Sequence, residues 1–227
     1  LKNRLSSSRV NVSLYDSSGQ GASIFDSDFD NGIIAHEYGH GISIRLTGGP
    51  NSSCLSGQEQ MGEGWSDFLT LVMTHEPGDA GSDRRGIGTY VRNQSTTGNG
   101  IRPYPYSTNT STNPVTYDDI KQARFTVPHG VGSVWCSMLW DLYWSFIDVY
   151  GYDQDIYRGT GGNNMVMKLV VEGLKLQGCG PGFVDGRDAI IEADKLLYGG
   201  KNVNLIWETF AARGLGYSAN QGTSSSK

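Results

Sequence analysis

Apolar residues recur at helical spacing over six stretches of this chain and alternate with polar residues over one. Between Asp30 and Leu46, the residues Ile33, Ile34, Tyr38, Ile42 and Leu46 fall at helical spacing, with Asp28 or Asp30 as N-cap and Gly48-Gly49-Pro50 as the stop. A second helix is predicted from about Gln58 to His75, its apolar face supplied by Trp65, Phe68, Leu69, Val72 and Met73. The sharpest periodicity comes later. Val131, Val134, Trp135, Met138, Leu139, Leu142, Tyr143, Phe146 and Ile147 follow the i, i+3, i+4, i+7 rule and predict a buried central helix. Shorter helical patterns follow near Asn164 to Leu176, Val184 to Leu197 and Leu205 to Ala212, separated by glycine-rich stops.

Strand signals are sparse. Arg9 to Tyr15 places Val10, Val12 and Leu14 in alternation with polar residues, the pattern of a half-buried strand. Glu76 to Thr126 is rich in Pro, Gly, Ser, Thr and Asn and reads as a long irregular excursion. The tail from Ser218 to Lys227 is polar and expected to fray. The pattern thus predicts a mainly α protein in three parts: an edge strand and loop over residues 1–29, a helical region over 30–217, and a flexible tail over 218–227.

Composition narrows the function classes. With 37% hydrophobic and 18% charged residues, the 227-residue chain can bury a sizeable core and is not of disordered composition. Its net charge of −5, without long like-sign runs, argues against a nucleic-acid or anionic-membrane surface. No apolar run approaches the roughly 18 residues of a membrane span. Leu1 to Arg9 holds neither an initiator Met nor a signal-peptide core, so the chain reads as a processed piece. Three cysteines allow at most one bridge. Cys54 and Cys179 lie in loop-like segments and can join in an oxidising compartment, whereas Cys136 sits among core residues of the central helix as a buried thiol. Glycosylation-type triplets at Asn11, Asn51, Asn93 and Asn109 are read as chance matches in a Ser/Thr/Asn-rich chain.

The chemistry begins in the first helix. His36-Glu37-Tyr38-Gly39-His40 places two imidazoles four residues apart, about 40° apart around a helix axis and able to converge on one ion. Neutral imidazoles suit zinc, and a catalytic site takes three protein ligands and leaves one position open for water. Glu63 is the candidate third ligand, because Met61-Gly62-Glu63-Gly64-Trp65-Ser66-Asp67 opens the second helix after a linker long enough to fold back. His36, His40 and Glu63 then form the His₂Glu set known from thermolysin. Asp67, one turn beyond Glu63, is placed to accept from the non-ligating N–H of a zinc histidine, His36 being favoured.

The stretches His36-Glu37-Tyr38-x-His40-Gly41-Ile42-Ser43-x-Arg45-Leu46-Thr47-Gly48-Gly49-Pro50 and Met61-Gly62-Glu63-Gly64-Trp65-Ser66-Asp67-Phe68 resemble the fungalysin family of secreted zinc endopeptidases, distant relatives of thermolysin. Ile101-Arg102-x-Tyr104-Pro105-Tyr106-Ser107-Thr108-Asn109, His129-x-Val131-Gly132-x-Val134-Trp135, Arg187-Asp188-Ala189-Ile190-Ile191 and Ala212-Arg213-Gly214-Leu215-Gly216 also look like family sequence, so the resemblance covers about Asp30 to Gly216. It implies a thermolysin-like C-terminal helical lobe preceded by a small, truncated β-containing segment. It further implies zinc on His36, His40 and Glu63, with Glu37 as general base. Gly39 stands where relatives often carry a larger residue, at a helix-propensity cost of about 1 kcal/mol. The family normally carries more β-rich chain upstream and an inhibitory prosegment, which is a possible partner.

Weaker candidates surround this set. His129, at the start of the central helix, matches the resemblance's transition-state-stabilising histidine and can donate to a developing oxyanion; an ordinary helix-start histidine is the alternative. Arg102 is suggested as a holder of a substrate carbonyl, against a solvated loop arginine. One of Tyr104, Tyr106 and Tyr117 could contact the oxyanion, Tyr106 being the preferred substrate contact, although packing accounts for such rings as well. Asp26, Asp28 and Asp30 alternate before the zinc helix and offer oxygens for calcium, or simply cap the helix. The strand near Arg9 to Tyr15 could pair with an extended substrate.

The function expected is therefore a secreted, extracellular zinc endopeptidase acting on protein or peptide substrates. The rivals are an aminopeptidase of the same architecture, for which no acidic amine anchor is evident, and a non-catalytic zinc-stabilised binding module or partner-dependent fragment.

Overall fold

The computed structural model describes residues 14–16 and 24–221. A short antiparallel pair, β1 (Leu14–Asp16) and β2 (Ile24–Asp26), joins Leu14 to Asp26 and Asp16 to Ile24. Only the end of the strand expected over Arg9 to Tyr15 falls here, and Val10 and Val12 lie outside the described residues. Among the described residues there are six α-helices: α1 (Asn31–Leu46), α2 (Gly62–Met73), α3 (His129–Tyr150), α4 (Gly162–Leu176), α5 (Phe183–Tyr198) and α6 (Val203–Ala212). The mainly helical expectation matches this architecture.

The acidic triplet before α1 caps backbone. Asp26 accepts from the Asp28 N–H, and Asp30 is the N-cap of α1, accepting from Gly32 and Ile33. An anion there satisfies donors that the first turn leaves free.

α2 is shorter than its apolar pattern at both ends. Gly57 takes φ 114°, outside the helical region, and the buried Glu59 carboxylate reaches across to accept from Phe183 N–H and Tyr117 O–H. The chain can enter the helix only after these contacts. At the far end, the carbonyl and hydroxyl of Thr74 accept from Arg85, and the chain turns away, leaving His75 beyond the helix.

α3 runs through the centre and packs against α2, α4 and α6. Val131, Val134, Trp135, Met138, Leu139, Leu142, Tyr143 and Phe146 are essentially inaccessible. So are Gly132, Cys136 and Ser137 on its other sides, which makes α3 a core helix rather than an amphipathic surface one. Residues 76–126 form the irregular excursion, interrupted by one 3-10 turn at Tyr117–Lys121. A disulfide joins Cys54 in the α1–α2 linker to Cys179 in the α4–α5 loop, and Cys136 is a buried free thiol. The tail is docked as far as Gln221, which bonds the backbone and side chain of Asp185; residues 222–227 lie outside the described residues.

Candidate metal centre

The site forms where α1 and α2 cross. His36 and His40 stand one turn apart on α1, their rings edge to face with centroids 4.7 Å apart. Glu63, in the first turn of α2, lies opposite both: His36 Nε2 is 3.3 Å from Oε2, and His40 Nε2 is 3.4 Å from Oε1. One ligand atom from each of the three residues lies within 4.8 Å of the others, the only such His/Cys/Asp/Glu group among the described residues.

These separations test whether zinc fits. Tetrahedral bonds of about 2.0–2.1 Å place two ligand atoms about 3.3–3.4 Å apart. The two nitrogen-to-carboxylate distances match that span, and the donor set suits a borderline-soft divalent ion. Each imidazole faces Glu63 through Nε2. In His36 the opposite nitrogen, Nδ1, is 2.7 Å from Asp67 Oδ1, which fixes the tautomer that leaves Nε2 free to ligate.

Asp67 has no exposed surface, and a bare carboxylate could not stay ionised there. Four donors keep it charged. His36 Nδ1 and Arg102 Nη2 (2.9 Å) reach Oδ1, while Arg102 Nε (2.7 Å) and the Tyr106 hydroxyl reach Oδ2. Arg102 Nη2 also donates to Glu63 Oε2 at 3.0 Å, so one guanidinium ties the Glu63 and Asp67 carboxylates together. Burial alone would raise Asp67, but the charge of Arg102 and the His36 hydrogen bond hold it well below the usual carboxylate range. Glu63 is likewise held low, its burial outweighed by hydrogen bonds from His36 and His40 and by the charge of Arg102. For His36, burial pulls the imidazole down, and the bonds to Asp67 and Glu63 more than reverse this, lifting it to about 9. Surroundings that favour a proton on this ring also favour a divalent cation at Nε2.

The first turn of α3 reaches the same point because two glycines let the helices touch. A Cβ on Gly64 would meet the Gly132 carbonyl at 2.3 Å, and one on Gly132 would meet Glu63 Cβ at 2.5 Å. This contact brings His129, the first residue of α3, to 3.6 Å from Glu63 Oε1 (Nε2) with its side chain 65% exposed. Glu37, next to His36 in sequence, is half-buried on α1.

Arg102 and Tyr106 sit elsewhere than expected. Both are buried behind the site, where Arg102 Nε and Nη2 and the Tyr106 hydroxyl donate to carboxylates. Tyr104 accepts from Arg124, and Tyr117 donates to Glu59. His75, which had no expected role, bonds the Tyr143 hydroxyl and stacks on Tyr152. The support given by Arg102 and Tyr106 was missed, although one signal pointed to it. Asp67 lies in a helix otherwise flanked by Trp65, Phe68, Leu69 and Leu71, and a carboxylate in such a setting needs a cation from elsewhere in the chain.

Comparison with known proteins agrees with this geometry. The chain is 46% identical over 203 residues to the extracellular metalloproteinase mep of Aspergillus fumigatus, covering 86% of this chain and 31% of that protein. It is 45% identical over 204 residues to an extracellular metalloproteinase of Pyrenophora tritici-repentis, covering 86% of this chain and 30% of the relative. Extracellular metalloproteinase 2 of Arthroderma gypseum is 44% identical over 200 residues, covering 84% and 31%. The chain thus spans under a third of the length of these relatives. The family model described as Fungalysin metallopeptidase (M36) matches residues 6–219, and with nearly the whole sequence matched the chain belongs to the fungalysin metallopeptidase family.

Proposed function

We propose that this chain is the helical catalytic part of an extracellular zinc endopeptidase that hydrolyses peptide bonds in proteins. The observation that carries the reading is the convergence of His36 Nε2, His40 Nε2 and the Glu63 carboxylate at the separations a tetrahedral ion requires. These three residues would hold the zinc. When bound, such an ion lowers the pKa of water and polarises a peptide carbonyl.

The remaining chemistry belongs to side chains of this chain. Asp67 holds the Nδ1 proton of His36, and Arg102 keeps Asp67 and Glu63 ionised. Glu37 takes a proton from the attacking water and delivers it to the leaving amine nitrogen, so no covalent acyl-enzyme is needed. His129 donates from its ring to the carbonyl oxygen as negative charge develops there. Asp26 and Asp30 spend carboxylate oxygens on helix and turn capping, which favours the capping reading of that triplet over calcium.

Secretion is supported by the naming of the relatives as extracellular and by the Cys54–Cys179 disulfide, which persists in oxidising compartments. Among the described residues, no helix is long and apolar enough to cross a membrane. An inhibitory prosegment remains the expected regulatory partner of the longer protein.

The test pairs metal analysis with cleavage of an internally quenched, end-blocked peptide. Stoichiometric zinc with turnover is expected, and Glu63→Ala should lose the metal. Tight zinc binding without turnover would return the chain to a non-catalytic binding module, and cleavage confined to free N-termini would make it an aminopeptidase.

A further inference from the structure

We infer that Tyr106 is a positioning residue for the metal centre, acting through Asp67 on His36. The inference rests on the ligand set proposed above and adds a residue that touches neither metal nor substrate.

Asp67 can orient His36 only if its carboxylate plane is fixed, since rotation would carry Oδ1 off the Nδ1–H. Three of its four donors belong to the proposed ligand His36 and to the charged Arg102, through Nε and Nη2. The fourth, the Tyr106 hydroxyl, is neutral and donates to Oδ2, the carboxylate oxygen that His36 does not contact. Tyr106 is itself buried, only 1% exposed. Its backbone exchanges two hydrogen bonds with Arg85, Arg85 N–H to Tyr106 O at 2.9 Å and Tyr106 N–H to Arg85 O at 2.8 Å. Arg85 in turn binds the carbonyl and hydroxyl of Thr74 at the end of α2, both at 2.9 Å. The excursion is therefore strapped to α2 at Thr74 and again at Asp67, and the strap carries the phenol to a set position relative to the helix that bears Glu63. A side chain needed only to fill the core would not have to bring an oxygen to a buried carboxylate.

Tyr106→Phe removes one oxygen and leaves the ring's volume in place. Orientation losses of this kind cost ~10- to 100-fold in metal affinity. Zinc affinity, measured by competition with a chromophoric chelator, should fall by at least ~10-fold, with a matching drop in kcat and little change in KM. Tyr143→Phe is the control, because Tyr143 is an equally buried phenol whose hydroxyl bonds His75, away from Asp67. It should lower Tm as a lost core hydrogen bond does and leave zinc affinity unchanged. Equal zinc affinity in Tyr106→Phe and wild type, or an equal small fall in both variants, overturns the positioning role. If His36→Ala keeps wild-type zinc affinity, the ligand set itself fails; if it loses zinc and Tyr106→Phe does not, only this inference fails.

Discussion

Gly39 of α1 lies so close to Ser66 of α2 that a Cβ on Gly39 would stand 2.7 Å from the Ser66 Cα. No rotamer of either residue relieves an approach to backbone, so the glycine sets how near the histidine-bearing helix comes to the one bearing Glu63. Its cost in helix propensity, about 1 kcal/mol, is small beside overpacking at such a contact, which typically costs about 1–3 kcal/mol. Gly39→Ala should therefore lower Tm, despite improving the isolated helix, and should weaken zinc binding as α1 and α2 separate. A thermal melt and a chelator titration check both; a raised Tm with unchanged affinity would show that the helices can shift without cost.

The proposed ligand cluster was legible because its residues are spaced locally. His36 and His40 are one turn apart, and Glu63 and Asp67 repeat that spacing on the next helix. The buried central helix was legible for the same reason, since Val131 to Ile147 carries its periodicity without interruption. What sits behind the site was not. Arg102 and Tyr106 meet Asp67 across separations of 35 and 39 residues, through a segment with no period to read. Nor could the apolar run that begins α2 reveal that Glu59 is drawn across to Phe183, because that bond depends on how α5 packs. Local pattern specifies elements and ligand pairs, while the supporting donors depend on tertiary closure.

Glu37→Gln separates catalysis from metal binding. Glu37 is not a proposed ligand, so zinc content should stay stoichiometric, while losing the proton shuttle should reduce turnover by at least ~10²-fold. Substantial activity in this variant would assign the general base elsewhere.

Metal binding should release a proton. In metal-stripped protein His36 titrates at about 9, against an ordinary 6.5, because its bonds to Asp67 and Glu63 outweigh its burial. At neutral pH that proton must leave before Nε2 can ligate, so about one proton should appear per zinc bound, and apparent affinity should rise roughly tenfold per pH unit until about pH 9. The stability that this proton contributes to stripped protein is fully present below 6.5 and is lost as pH rises through about 9, so its Tm should decline over that window. Calorimetric titrations in buffers of different ionisation enthalpy count the proton, and no release at neutral pH would mean that His36 is already neutral there.

His129 offers the most exposed test of the mechanism, because it is placed by the Gly64–Gly132 contact rather than by a closed ligand set. Its ring stands 3.6 Å from Glu63 yet keeps 65% of its surface exposed, which suits a group that meets a substrate and not one that completes the buried cluster. If it donates to the oxygen of the scissile carbonyl, the bond strengthens only as charge develops. His129→Ala should then lower kcat far more than it raises KM. Losing one such donor costs about 2.7–4 kcal/mol, or roughly 10²- to 10³-fold in kcat. Zinc content should be unchanged, and His129→Gln, which keeps an N–H donor, should recover part of the loss. Metal loss in His129→Ala would instead make it a ligand, and an unchanged kcat would leave no role for its ring in stabilising the oxyanion.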